Sequence, residues 1–177
     1  MDSEKLQKAI FGLHTRRFGT TAEIMIKKII NATDSDQLSF DLFDKVDSNR
    51  IEVKFSRVQK KAELKITDSN LFKALQCEAN RDIMYHEWQD YDWDSNIQQV
   101  KKEFFDILFY GVFFKDMILI FKVKAEEIGN NMRYSDKQHS GNTGEGQFHL
   151  NPQTFKYHLD NHLYKTLTYG ELLEWLK

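Results

Sequence analysis

The sequence predicts an α/β fold in which a mixed central β-sheet is flanked by α-helices, and three features point there. Apolar residues at helical spacing fill the first thirty positions. Two alternating runs flank a polar DSN turn. An unbroken apolar run, DMILIFKVKA, then stands between further segments with helical signals. The 177 residues suit one domain, 1–177, long enough to bury a sizeable core.

Leu6, Ile10 and Leu13 recur at helical spacing and open the chain as a helix. FGTTAEIMIKKIINAT reads as a second helix, with Thr20 as N-cap and Glu23 closing a capping box. Ile24, Ile26, Ile29 and Ile30 would form its apolar side. QLSFDLFDKV and RIEVKFSRV form two strands around DSN, a hairpin by turn chemistry, and AELKI would extend the sheet. DSNLFKALQCEAN follows as a short helix with a cap at Asp68 or Ser69. SNIQQVKKEFFDILFYGVFF reads as beginning in a helix, with Ile97, Val100, Phe104, Ile107 and Leu108 on one side. DMILIFKVKA is a buried strand by its continuous apolar run. Gly129 to Gln147 is polar and glycine-rich, hence loop. Asn151 with Pro152 at the first helical position starts another helix, and Thr168 with Glu171 caps the last.

Composition narrows the function classes. A hydrophobic fraction of 41% with 14% aromatic residues is globular rather than disordered. The one cysteine, Cys77, forms no intramolecular disulfide and no zinc framework, so a reducing cytoplasm is the expected home. The charged start MDSEKLQK shows no secretory signal, and FFDILFYGVFFKDMILIF is interrupted by Asp106, Lys115 and Asp116, so no membrane span is expected. A net charge of −2 argues against a protein that coats DNA by charge alone. Basic charge is local instead: Arg50, Lys54, Arg57, Lys60, Lys61 and Lys65 stand against Glu52 and Glu63. YHEWQDYDWD is correspondingly acidic and aromatic; both stretches also suit a solvated surface.

The hairpin carries the chemistry. Glu52 and Lys54 share one strand face, with Val53 and Phe55 on the other. A turn centred on Asp47 and Ser48 places Asp41 opposite Lys54; a register shifted by one places Asp44 opposite Glu52 instead. Either way two carboxylates and an ammonium converge, an arrangement costly to bury unless compensated. Mg²⁺ suits it, being held by one or two carboxylates while water and phosphate oxygens complete its shell. Lys54 would orient or deprotonate the attacking water and stabilise the transition state. An ordinary Glu–Lys pair on a polar face is the plainer alternative.

FDLFD, a turn, then RIEVKFSR resembles the signature of the PD-(D/E)xK nuclease superfamily, with Phe40 where the name has proline. The resemblance covers about residues 19–124, FGTTAE resembling the first core helix and NIQQVKKEFFDILFYGVFF with DMILIF a later helix and strand. Small type II restriction endonucleases look most similar. The resemblance implies a restriction-endonuclease-like core, Asp41 and Glu52 as metal ligands and Lys54 as the catalytic lysine, with Asp44 as the register alternative. It also implies that Glu23 can complete the Mg²⁺ site, although the capping box accounts for it equally, and that Gln98 or Gln99 can reach the scissile phosphate.

Residues 125–177 would then serve DNA recognition or dimerisation. SDKQHSGNTGEGQFHLN mixes amides, imidazoles and glycines, so Lys137, Gln138, His139, Asn142, Gln147 and His149 are candidate contacts to bases or phosphates. Lys60 and Lys61 are candidate phosphate contacts. His158 and His162, one helical turn apart, lack a third zinc ligand and read as surface histidines. The expected activity is Mg²⁺-dependent, sequence-specific cleavage of double-stranded DNA by a homodimer on a palindromic site. A repair or junction-resolving nuclease is the near alternative, a non-catalytic DNA-binding protein the distant one. The C-terminal helix YGELLEWLK suits a dimer surface or intramolecular docking.

Overall fold

The computed structural model describes residues 1–61, 66–78, 81–137 and 143–177. Five helices accompany ten strands there: α1 (Ser3–Phe11), α2 (Thr15–Ile30), β1 (Thr33–Asp34), β2 (Leu42–Asp44), β3 (Asn49–Arg57), β4 (Gln59–Lys60), α3 (Leu71–Glu78), β5 (Trp93–Val100), β6 (Ile107–Phe113), β7 (Met117–Lys124), β8 (Ser135–Lys137), β9 (Thr143–Leu150), α4 (Phe155–His162), β10 (Leu163–Thr168) and α5 (Tyr169–Leu176). The expected α/β architecture is present: a six-stranded mixed sheet, ordered β1-β2-β3-β6-β7-β10, flanked by helices. β3 and β6 run parallel, and the other neighbours in this sheet are antiparallel.

Every residue of β6 is buried, as a central strand covered on both faces requires. Its side chains divide by alternation. Ile107, Phe109 and Phe113 pack with Leu6, Ile10, Phe18, Ala22 and Leu172 of α1, α2 and α5. Leu108, Tyr110 and Val112 pack on the opposite side with Trp93, Ile97, Phe148 and Phe155. Gly111 lies across from Phe55; a Cβ there would meet the Leu119 carbonyl oxygen at 2.2 Å and the Phe55 ring at 2.4 Å. Only glycine lets these elements approach so closely.

The opposite side is covered by a second sheet, ordered β4-β5-β9-β8, which corrects two expectations. The stretch from residue 95, read as the start of a helix, instead lies in β5, which spans Trp93–Val100, and 107–113 form β6. Ile97, Val100, Ile107 and Leu108 satisfy a helical spacing, but Trp93, Ser95 and Ile97 are buried on alternate positions, the period of a strand. Residues 143–150, read as loop, form β9, with Gly146, Phe148 and Leu150 buried. Residues beyond 124 also supply β10 at the edge of the main sheet.

Helix boundaries differ as well. α2 starts at Thr15, so Thr20 lies inside it, its hydroxyl donating to the Arg16 carbonyl oxygen at 3.3 Å. Thr20 is therefore not an N-cap, and the proposed capping box with Glu23 falls. The buried side of α2 is Phe18, Ala22, Met25 and Ile26, while Ile24 is exposed. α4 begins at Phe155 rather than beside Pro152, because the Asn151 side chain holds a turn by accepting from the Gln153 and Thr154 amides. The Thr168–Glu171 capping box on α5 is present, and α5 docks within the chain, burying Leu172 against α1 and α2. His158 is buried, not on the surface: its Nδ1 lies 2.8 Å from the Tyr110 hydroxyl and its ring stacks on Phe148. AELKI falls largely outside the described residues.

Candidate active site and its cleft

The hairpin register is neither of the two considered. Leu42 faces Ile51, Phe43 faces Arg50 and Asp44 faces Asn49, because the connection is the four residues 45–48, centred on Val46 and Asp47, with Ser48 left-handed at φ 57°. The Asp44 side chain accepts the Val46 amide within the turn, so it is spent there. β2 pairs with β3 only as far as Ile51, beyond which the outer edge of β3 has no main-chain partner from β2. Asp41 fills the first open place. Its amide donates to the Ile51 carbonyl oxygen at 3.0 Å, and its Oδ2 accepts the Val53 amide at 2.8 Å.

Asp41 thereby meets the acid and the lysine of β3. Lys54 Nζ donates to Glu52 Oε1 and lies 3.6 Å from Asp41 Oδ2. These side chains are largely enclosed, with relative exposures of 24% for Asp41, 12% for Glu52 and 23% for Lys54. Glu23 reaches the same group from α2. Burial pushes its carboxyl above the usual range, and the nearby Asp41 charge pushes the same way. Burial likewise raises Glu52, partly opposed by Lys54. Burial alone would lower Lys54, yet Glu52, Asp41 and Glu23 together hold it above the ordinary lysine value. Two carboxylates thus pair with one ammonium that stays charged, and a third acts on it as a neighbouring charge.

The donor set fits a hard divalent cation in the way Mg²⁺ is commonly held. Asp41 and Glu52 supply two carboxylates at one point, and water or phosphate oxygens would complete the shell. Among the described residues no three His, Cys, Asp or Glu side chains form a complete cage, so Glu23 stands at the margin of the set.

Two cavities open on this cluster. The smaller, about 190 Å³, is lined by Phe40, Asp41, Glu52, Lys54, Gln99 and Lys101 among others. The larger, about 570 Å³, runs between α2, β3 and β5 past Glu23, Lys54, Arg57 and Gln98. Gln98 and Gln99, expected on a helix, instead form a bulge in β5 where its pairing with β9 breaks between Ile97 and Val100. Gln99 has φ 58°, a left-handed conformation costly for a non-glycine residue, and lines both cavities beside Lys54.

Other candidates are more dispersed. Lys60 lies 3.5 Å from the centre of the Tyr91 ring, and Lys61 pairs with Asp92 at 3.2 Å. Arg50 grips Asp106 through Nε and Nη2, one edge of its guanidinium, so it belongs to the fold. Lys137 is exposed on β8. Gln147 accepts from Asn96 Nδ2 at 3.1 Å, and His149 Nδ1 lies 2.8 Å from Asp94 Oδ2, placing both on a polar face of the second sheet. Their partners Asn96 and Asp94 carried no signal in the sequence, since β5 was read as a helix. Gln138, His139 and Asn142, with Lys65 of the basic run, lie outside the described residues.

The chain matches no family model, no curated protein and no solved structure. No helix among the described residues is long and apolar enough to cross a membrane.

Proposed function

We propose that this chain is a Mg²⁺-dependent endonuclease that hydrolyses phosphodiester bonds of double-stranded DNA. The observation that carries this reading is the convergence of Asp41 and Glu52 on Lys54, with Glu23 as a nearby charge, at the mouth of a polar cleft. One ammonium leaves that group with surplus negative charge, which a divalent cation would balance. Bound there, the cation supplies an activated water and charge stabilisation on the phosphate. Asp41 and Glu52 would hold it, and Glu23 would hydrogen-bond a water of its shell. Lys54, kept charged by its neighbours, would donate to a phosphate oxygen as charge develops rather than remove a proton. The resemblance of FDLFD and RIEVKFSR to the PD-(D/E)xK signature points the same way.

The paired polar side chains of the second sheet, Asn96 with Gln147 and Asp94 with His149, support sequence reading of the type II restriction class. Two copies of the chain would then act on the two strands of a palindromic site. Incubation with plasmid and Mg²⁺ should give discrete bands, whereas cleavage of branched DNA alone would identify a junction-resolving enzyme. No cleavage with Mg²⁺ or Mn²⁺ on any DNA would overturn the nuclease reading.

A further inference from the structure

The larger cavity holds three cations that the candidate catalytic cluster does not use, Arg16, Arg57 and Arg81. Four cations line it, Arg16, Lys54, Arg57 and Arg81, against one acid, Glu23, which lies at the Lys54 end. Arg57 is fixed in place: its Nη1 donates to the carbonyl oxygens of Phe11 and Leu13 at 2.7 and 2.8 Å, and its guanidinium lies 4.6 Å from the centre of the Phe18 ring. Among the described residues neither Arg57 nor Arg81 forms an ion pair, unlike Arg50 with Asp106. Burial and the neighbouring Arg81 charge both act to lower the Arg57 pKa, and no carboxylate compensates. Arginine stays charged in proteins, so the two guanidinium groups stand in mutual repulsion within one cleft.

A folded chain keeps like charges together against repulsion when an anion joins them. Guanidinium geometry favours the oxygens of phosphate, which it can grip through two parallel N–H bonds. The position matters as well. Arg57 lies three residues beyond Lys54, roughly 10 Å along a strand and on the other face of β3. Both residues nevertheless line the same cavity, so an anion at Arg57 shares the cleft of the candidate catalytic group.

We infer that Arg57 and Arg81 form a phosphate subsite that grips the nucleic-acid backbone beside the bond being cut. The inference rests on the nuclease reading for its substrate, and it deepens that reading by assigning the track of the strand along β3. The rigid Arg57 supplies a fixed fork, and Arg81 closes on the other side of the phosphate. Neither group takes part in bond cleavage; both are positioning residues.

The test separates binding from chemistry. Affinity of a fluorescein-labelled DNA duplex of arbitrary sequence is measured in Ca²⁺ by anisotropy, over a range of salt concentrations, for the unaltered protein and for Arg81→Ala. Arg81→Ala should weaken binding on the order of tenfold, as loss of a charged hydrogen bond does. It should also flatten the salt dependence by about one phosphate contact. Arg81→Lys should recover part of the affinity. Arg57→Ala disturbs the Phe11 and Leu13 contacts, so it is informative only if its thermal unfolding stays cooperative, and it should then match Arg81→Ala. Unchanged affinity and slope in Arg81→Ala, with cleavage intact, overturn the subsite and leave the nuclease reading standing. Arg81-dependent duplex binding by a protein that cleaves nothing supports the subsite and removes the nuclease reading. A loss seen with inorganic phosphate but not with duplex also overturns it.

Discussion

Asp41 Oδ2 accepts the backbone N–H of Val53 at 2.8 Å and, from the same place, lies 3.6 Å from Lys54 Nζ. One carboxylate therefore finishes the edge of a strand and faces the candidate catalytic lysine. Because β2 stops pairing at Ile51, the Val53 amide would otherwise lack a partner there, and the side chain supplies the acceptor that the neighbouring strand does not. Structure and chemistry are coupled at this residue.

The coupling can be separated by substitution. Asp41→Ala removes both the charge and the Val53 acceptor, and should cost about 1–3 kcal/mol of stability through the unpaired amide. Asp41→Asn keeps an oxygen acceptor and should lose much less. Both should abolish cleavage, since each removes a charge that the proposed metal site needs. Urea unfolding with a plasmid-nicking assay checks this. Full activity in Asp41→Asn would remove Asp41 from the metal site.

Part of this site was legible in the sequence and part was not. FDLFD and RIEVKFSR flank a turn, and period-two alternation placed Glu52 and Lys54 together correctly. The partner acid was harder, because the register depends on the left-handed Ser48 and on a four-residue turn centred on Val46 and Asp47, neither of which leaves a pattern in the letters. Glu23 was divided evenly between the metal site and a helix cap, and that cap does not exist, since α2 starts at Thr15 rather than after Thr20. Ile97, Val100, Phe104 and Ile107 match a helix by spacing alone. Tertiary pairing overrides that pattern: β5 is a strand because β9 is there to pair with it, and β9 was hidden in a glycine-rich stretch. Arg57 was visible as one charge in a basic run, but its proximity to Arg81 arises only from the fold.

His158 should make the protein acid-sensitive. Burial, aided by the nearby His162, lowers its pKa from 6.5 to about 3. The groups facing it are Tyr110, Phe121, Phe148, Tyr157 and His162, and among the described residues no acid hydrogen-bonds the ring. The unfolded chain binds this proton more readily than the folded one below pH 6.5. Stability from His158 is thus fully present above 6.5 and lost as pH falls from there toward 3, by about 3 kcal/mol at pH 4.5. His158→Phe removes the titrating group but leaves the Tyr110 hydroxyl without this partner. The variant should be less stable at pH 7 and lose less on acidification. Parallel urea midpoints for both proteins from pH 7 to 4.5 would contradict this account.

Glu52 and Glu23 should produce the opposite slope on the alkaline side. Both carboxyls are raised above 4.5, Glu52 chiefly by burial and Glu23 by burial and then by Asp41. The folded state therefore holds these protons more tightly than the unfolded state. Their contribution to stability is complete below pH 4.5 and is lost as pH rises through the raised values. Glu52→Gln, which cannot ionise, should abolish cleavage while flattening this loss, so the variant should gain relative stability above pH 4.5. A divalent cation bound by the same carboxylates should act on the unaltered protein in the same direction. Ca²⁺, which tolerates irregular shells and dispenses with turnover, is the suitable probe. Ca²⁺ should raise the unfolding temperature of the unaltered protein at pH 7 and leave Glu52→Gln nearly unmoved, because binding only the folded state stabilises by mass action. Thermal scans of both proteins, with and without Ca²⁺, at pH 5 and pH 7 read the two effects together. An equal Ca²⁺ shift in both would place the cation elsewhere, and a Glu52→Gln variant that still cuts plasmid would remove the acid from the reaction altogether.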